Sequence, residues 1–511
     1  MWAGPLDRLT SGDAMKQFEN YVNGRWAAAS GPFIEVDDPS TGEIIGSVPD
    51  SGADVVDQAV GAARAAFEGP WARMRPQDRA QVLRDLASAL DSRFDELSDE
   101  LVRDTGCTAR LCGMLQVGGP LGHLRDFAEM SASLAPTAFP MQTTPGFGQW
   151  ELHREPVGVV AGFTPYNFPL FIAVWKAAPA LLTGNTVVLK SSPLTPFGLE
   201  ALARAADEVG LPPGVLNLVH GDRTAGEALV AHPGVDLVSF TGSTAVGTRI
   251  MASAAATAKE VLLELGGKSP AVVLPDAPAE LAVRGTLFSS MMHSGQACVA
   301  TSRMLVPDSR YDEFLDLLAT RAGQLTVGAA TELTSDVGPV ISAAQRDKIE
   351  KFVAGSVEQG GRVVAGGERP TGVPEGGHYV APTVLAVDTD NVAAREEIFG
   401  PVLAVVRYSG VDDAVRIAND SEYGLAASVW GTDLQAARAV AARLESGLTW
   451  INDVAAADVA RTPLSGRKRS GVGSELGVDG LHAYTKVKSL YTALDTDIDG
   501  RSYGAVGLDW D

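Results

Sequence analysis

The chain has no apolar run approaching the roughly 18 residues a membrane-spanning helix needs. Met1 to Asn23 lacks the apolar stretch of a signal peptide, and Asp7, Asp13 and Glu19 do not suit a transit peptide, so neither is expected. Cysteine is scarce. Cys107, Cys112 and Cys298 are the three in 511 residues, an odd number that implies no disulfide framework. Cys107 and Cys112 lie five apart with no neighbouring His or second Cys pair, so no metal site is expected. Basic residues are outnumbered, 41 Lys and Arg against 63 Asp and Glu, a net charge of −22. That balance excludes a large nucleic-acid or anionic-membrane surface, both of which need clustered cations. Repeats and low-complexity tracts are absent, as is any G-x-G-x-x-G turn near the first alternating segment.

With 45% hydrophobic and 20% charged residues, the chain can build sizeable cores, and its length predicts about three structural units. An acidic cytoplasmic protein is expected. From Asp78 to Cys107, Leu83, Leu86, Leu90, Phe94, Leu97 and Leu101 recur at helical steps and predict a core-facing helix pair. From Gly158 to Gly267 short apolar runs (Val159–Phe163, Val187–Leu189, Leu216–His220, Leu237–Phe240, Val261–Glu264) alternate with helical patterns, the mark of a parallel sheet. A second such stretch runs through Ala271–Leu274, Arg303–Val306, Val402–Arg407 and Ser428–Trp430. The reading is α/β: two tandem parallel-sheet domains plus a small β element. Residues 1–138 and 157–266 are assigned to one domain and 267–465 to the other. Residues 139–156 and 484–511, polar and alternating or β-branched, are assigned as oligomer-forming segments.

Three segments carry candidate chemistry. Cys298 follows the turn Ser294-Gly295-Gln296-Ala297, where backbone N–H groups can stabilise a thiolate, although an isolated cysteine is more often a buried small hydrophobe. Glu264 ends an apolar run before Gly266-Gly267-Lys268, a position where a carboxylate is ordinarily solvated. Thr164-Pro165-Tyr166-Asn167 sets an amide at a strand's carboxyl end, where open α/β sheets bind ligands.

Together these segments resemble the aldehyde dehydrogenase superfamily, with Glu264 and Cys298 at that family's separation of 34 residues. The resemblance extends through Tyr21–Trp26, Phe240–Gly247, Glu396–Pro401, Tyr423–Leu425, Pro463–Gly466, Ser470–Gly473 and Gly480–Tyr484, covering roughly residues 20–490. It implies a Rossmann-like cofactor domain, a catalytic domain and oxidation of an aldehyde to its acid through a cysteine thiohemiacetal and thioester. Cys298 is then the nucleophile, Asn167 the oxyanion donor and Glu264 the base for hydrolytic water. Lys176 matches a lysine proposed to assist proton transfer; its other reading is a helix-surface lysine. The implied cofactor contacts are Thr164, Pro165, Lys190, Gly242, Ser243, Gly247, Leu265, Glu397 and Phe399. NAD is the expected cofactor, with NADP left open because Pro193 stands where many NAD-preferring members have Glu. A hydrophobic or aromatic aldehyde is the expected substrate and a homodimer or homotetramer the expected assembly.

Other departures are Tyr166 in place of a common Trp and Leu464-Ser465 in place of Phe-Gly. By analogy the small-chained loop Val454–Arg461 lines the substrate tunnel, and His293 could tune the thiolate or simply pack. The acidic extension after Lys488 carries Tyr503 and Trp510, which predict docking on this or a neighbouring subunit. Two alternatives are a CoA-acylating enzyme, against which Glu264 speaks, and a non-catalytic binding protein, against which Cys298 and Asn167 speak. The same residues could also support an esterase side activity.

Overall fold

The structure is a computed structural model that describes residues 15–28, 31–143, 147–454 and 459–495, with Arg501, Tyr503 and Val506. It is an α/β fold. An eight-stranded sheet has at its centre five parallel strands in the order Glu260–Glu264, Leu237–Thr241, Val159–Phe163, Thr186–Lys190, Leu216–Val219. These strands are Val- and Leu-rich and buried on both faces, as parallel strands covered by helices must be. Of these five strands the chain forms the middle one, Val159–Phe163, first, winds outward to Leu216–Val219, then returns to the other side at Leu237–Thr241. The strand order therefore reverses between Val159–Phe163 and Leu237–Thr241. A crevice opens at the carboxyl ends of two such strands because their crossover helices diverge there. Thr164-Pro165 and Gly242-Ser243 occupy that crevice.

A second sheet of seven strands runs Arg362–Ala365, Thr383–Ala386, Val402–Tyr408, Arg303–Pro307, Pro270–Val273, Ala426–Trp430, Leu448–Ile451, all parallel except the first. The helix pair expected from the leucine stripe is Pro76–Asp91 and Phe94–Thr105, with Leu83, Leu86, Leu97 and Leu101 buried.

A third, small sheet stands apart. Thr485–Ala493 pairs antiparallel with Gly148–Pro156 along nine residues, and Thr137–Ala138 adds a short third strand. Phe139, Met141, Phe147, Trp150, Val487 and Leu490 are exposed on or beside it. The sheet ends where the Asp495 carboxylate accepts the Phe147 N–H at 3.1 Å. Of the acidic extension, Trp510 and most neighbours lie outside the described residues, while Tyr503 and Val506 are exposed rather than docked on this chain.

Candidate active site

A cavity of about 390 Å³ opens at the crevice and continues between the two large sheets. Of the residues singled out from sequence, Pro165, Asn167, Gly242, Ser243, Glu264, Leu265, Cys298, Glu397 and Phe399 line it. Thr164, Lys176, Lys190 and Gly247 are not among its lining residues.

Cys298 is positioned by a strained approach. His293, Ser294 and Gly295 are three consecutive residues with φ of 49°, 56° and 72°, a left-handed run that β-carbon-bearing residues adopt at a cost. Side chains pin it: the Ser294 hydroxyl donates to the Gly338 carbonyl at 2.8 Å, and Gln296 Oε1 accepts the Ile341 N–H at 3.0 Å. Behind it Gly267 is small by necessity, because a β-carbon there would lie 2.6 Å from the Cys298 carbonyl oxygen. The half-buried thiol has its pKa pushed up to about 12, first by burial and then by the carboxylates of Glu264 and Glu397, against the opposing backbone N–H groups of Val299 and Cys298. His293 is buried with its ring 5.2 Å from Phe168, so of its two readings the structure shows packing.

Asn167 is held from both ends. Its side-chain amide donates to the Gln296 carbonyl at 2.7 Å, two residues before the thiol, and its own carbonyl accepts from Gln116 Nε2 at 2.8 Å. Glu264 ends its strand buried, with one carboxyl oxygen lacking a protein partner. Burial, then the charge of Glu475, raises its pKa well above the usual carboxylate range, while Lys176 and the Gly466 N–H pull the other way.

Lys176 is not a surface lysine. Fully buried on the helix Pro169–Thr183, its ammonium donates to Glu475 Oε1 at 2.7 Å, Thr241 Oγ1 at 2.9 Å and Ser239 Oγ at 3.1 Å. All three of its protons are used. Glu475 was missed from sequence: it is separated from Lys176 by 299 residues and belongs to none of the quoted motifs.

The other half of the cavity fits a dinucleotide. Ser243 caps the helix Thr244–Ala254 by accepting the Val246 N–H, and the free N–H groups of that first turn suit a pyrophosphate. Gly247 packs so closely on Leu265 that a side chain there would clash. Glu397 Oε1 accepts the Gly267 N–H at 2.9 Å, and burial raises its pKa. Phe399, at φ 59°, meets Tyr166 edge to face at 6.0 Å. Lys190 ends its strand beside Thr164, whose N–H bonds its carbonyl; burial lowers its ammonium pKa to about 8. The buried Thr164 hydroxyl has no protein partner.

The deeper half is walled by Leu115, Phe168, Phe171, Trp175, Met292 and Leu464, with Trp450 and Thr462 nearby. None of these was assigned to the tunnel wall from sequence; Leu464 was noted there only as a departure from the family pattern. The loop expected to line the tunnel does so in none of its described part. Val454 is buried in the core under the second sheet and Arg461 turns to Asp126, with residues 455–458 outside the described set. The reason is that Val454 is apolar enough to join a core and Arg461 has a carboxylate to meet.

Among the described residues no cluster of His, Cys, Asp and Glu could hold a metal ion, and no helix is long and apolar enough to cross a membrane.

Residues 26–490 match the model of the aldehyde dehydrogenase family. Geranial dehydrogenase of Castellaniella defragrans is 41% identical over 474 residues, 92% of this chain and 98% of that protein. The 2-hydroxymuconic semialdehyde dehydrogenase of Pseudomonas sp. strain CF600 is 37% identical, covering 94% of this chain and all of that one (100%). A Mycobacterium tuberculosis aldehyde dehydrogenase solved with NAD+ superimposes with a TM-score of 0.90 at 40% identity, over 93% of this chain and 98% of that one. With the match running almost end to end and the thiol, amide and carboxylate meeting in one cavity, the chain belongs to the aldehyde dehydrogenase family.

Proposed function

We propose that this enzyme oxidises a hydrocarbon-chain or aromatic aldehyde to its carboxylic acid, with Cys298 as nucleophile, Asn167 as oxyanion donor and Glu264 as base. The reaction class, NAD(P)-dependent aldehyde oxidation, is that of its family. What carries the substrate reading is the wall beyond Cys298, built from Leu, Phe, Trp and Met. Among the cavity's described lining residues the one cation is Lys348, which stands near enough to Glu397 to lower its pKa, on the cofactor side. An anionic tail would therefore be desolvated in the tunnel without a counter-charge. The relative named for geranial, a hydrocarbon aldehyde, fits this wall better than those named for semialdehydes.

The chemistry follows from the residues. The Cys298 thiol, pushed up at rest, must lose its proton to attack; the raised Glu264 carboxyl beside it is a base of suitable strength. Attack on the carbonyl carbon gives a thiohemiacetal whose oxyanion the Asn167 amide and the Cys298 N–H can meet, each such donor contributing about 3 kcal/mol. When bound, the nicotinamide supplies the hydride acceptor. Thr164, Pro165, Lys190, Gly242, Ser243, Gly247, Leu265, Glu397 and Phe399 are the residues we assign to hold that cofactor. The Cys298 thioester then yields to water deprotonated by Glu264, and the buried Lys176–Glu475 pair sets the charge against which Glu264 takes and releases that proton.

The three described cysteines are unpaired, and a reactive thiol suits a reducing cytoplasm. The exposed small sheet supports a homodimer or homotetramer. A panel of aldehydes of graded polarity, followed by cofactor reduction with NAD and with NADP, tests the reading. Long-chain and aromatic aldehydes should give the highest kcat/KM. A strong preference for charged semialdehydes, or product formation only with added CoA, would refute it.

A further inference from the structure

The tunnel's Trp175 is held by a residue that belongs neither to the catalytic group nor to the cavity wall. The helix Gly119–Glu129 packs across Pro169–Thr183 and carries His123 to the back of Trp175. The indole Nε1–H donates to His123 Nδ1 at 2.8 Å, and the two rings are nearly parallel, 7° apart. The imidazole also tilts against Phe171, centroid to centroid 4.8 Å. Both partners of the hydrogen bond are buried. An imidazole accepting at Nδ1 in its neutral form carries its proton on Nε2, so the pair has one tautomer and one orientation.

This bond decides what Trp175 offers a substrate. An indole has a single polar atom, its N–H, which is a donor only. Turned to His123, that donor is satisfied away from the cavity, and the surface left towards the tunnel is hydrocarbon. Without His123 the N–H would be an unpaired donor in a desolvated wall, the kind of group that recruits an oxygen acceptor. One helical turn beyond His123, Asp126 accepts two hydrogen bonds from Arg461 at 3.0 and 2.8 Å. Arg461 directly precedes Thr462, Pro463 and Leu464 of the facing wall. The same helix thus braces both sides.

We propose that His123 is a positioning residue for substrate selection: by engaging the Trp175 N–H it removes a hydrogen-bond donor from the tunnel and selects aldehydes with hydrocarbon tails over tails bearing oxygen. The proposal rests on reading the apolar half of the cavity as the aldehyde tunnel. Trp175 lies six residues, about 9 Å along the axis, from the start of its helix, and Asn167 just before that helix bonds the Gln296 carbonyl near the thiol; the proposal accordingly expects medium-length chains to sense Trp175 and acetaldehyde not to.

The test compares octanal, ω-hydroxyoctanal and acetaldehyde in wild type, His123→Phe and His123→Asn. Phe keeps an aromatic face and removes the acceptor, whereas Asn places an oxygen where Nδ1 stood. His123→Phe should lower the preference for octanal over ω-hydroxyoctanal in kcat/KM by about tenfold, from exposing one unpaired donor, with acetaldehyde unchanged. His123→Asn should restore the preference. An unchanged ratio in His123→Phe, or an equal loss for all three aldehydes, would overturn the proposal. Calorimetric binding of octanol against octanediol reads the same preference without turnover. If wild type favours octanol and His123→Phe does not, the inference stands even should no aldehyde be oxidised, in which case the proposed function fails by itself. Should His123→Phe not fold, wild type against His123→Asn and His123→Ala decides, and equal preferences in all three would overturn it.

Discussion

After burial itself, the Glu264 carboxylate raises the proton affinity of Cys298, because a charged neighbour disfavours a second anion in a desolvated pocket; Glu264 is raised in its turn by burial and then by Glu475. The sign is definite. A negative Glu264 holds the Cys298 pKa up, so replacing it by a neutral amide must bring that pKa down. In Glu264→Gln the pH profile of Cys298 alkylation should shift to lower pH, while steady-state turnover falls on the order of 10²–10⁴-fold from loss of a general base. Pre-steady-state mixing should then show a burst of reduced cofactor followed by slow release. An alkylation profile that stays put would mean that Glu264 does not sense the thiol. Pro193 is the second residue whose role is open to a direct measurement. It follows Ser191-Ser192 after Lys190, and a carboxylate there would add a ribose hydrogen bond and repel a 2′-phosphate. Pro193→Glu should raise the NAD/NADP ratio of kcat/KM by about 1–3 kcal/mol, or roughly 5- to 150-fold. An unchanged ratio would place residue 193 away from the ribose.

Among the described elements, the small sheet of Thr137–Ala138, Gly148–Pro156 and Thr485–Ala493 presents large apolar side chains to solvent. With its third strand only two residues long, this sheet is close to a two-stranded hairpin, which is marginal in water unless its apolar face is covered. Here Trp150 and Tyr491 pack together at 4.9 Å while Trp150, Val487 and Leu490 remain exposed. On the proposed homo-oligomer, this exposed apolar face is the surface that a second copy would cover. Leu490→Asp should reduce the molecular mass seen by sedimentation to that of a smaller assembly. Its effect on the Cys298 pocket should be small, since Leu490 is absent from the cavity wall. Retained full assembly would remove this sheet from the interface.

For the whole molecule, scaffold and chemistry are separable. Cys298→Ala removes one half-buried sulfur from a loop pinned by Ser294 and Gln296, so fold and cofactor binding should persist while dehydrogenase activity, and any esterase activity, disappears. Residual turnover within about tenfold of wild type would be too much for a lost nucleophile. NAD at about 100 times its Kd should stabilise wild type and Cys298→Ala equally, by about 2.7 kcal/mol, read as matching rises in Tm. A rise confined to wild type would tie cofactor binding to the thiol.

The alternation of apolar runs and helical stripes marked the five parallel strands of the first sheet and four of the seven in the second, because a strand buried on two faces has few ways to be written; Arg362–Ala365, Thr383–Ala386 and Leu448–Ile451 were not read. Cys298, Glu264 and Asn167 were picked out through the family resemblance of the segments that carry them; taken singly, Cys298 reads as a buried small hydrophobe and Glu264 as a solvated carboxylate. Three things waited for the tertiary structure. Lys176 reads equally as a surface residue until Glu475, 299 positions away, is found to neutralise it in the core. The tunnel wall draws Leu115, Trp175, Met292 and Leu464 from four separate parts of the chain, and no local pattern shows that they share one wall. The His123–Trp175 bond joins two helices that are each fully explained as amphipathic or buried without it. Local sequence records what a backbone must do locally. Which side chains share a desolvated space is settled only when the sheets and helices pack, since the burial that shifts a proton or dries a tunnel is contributed by all of them at once.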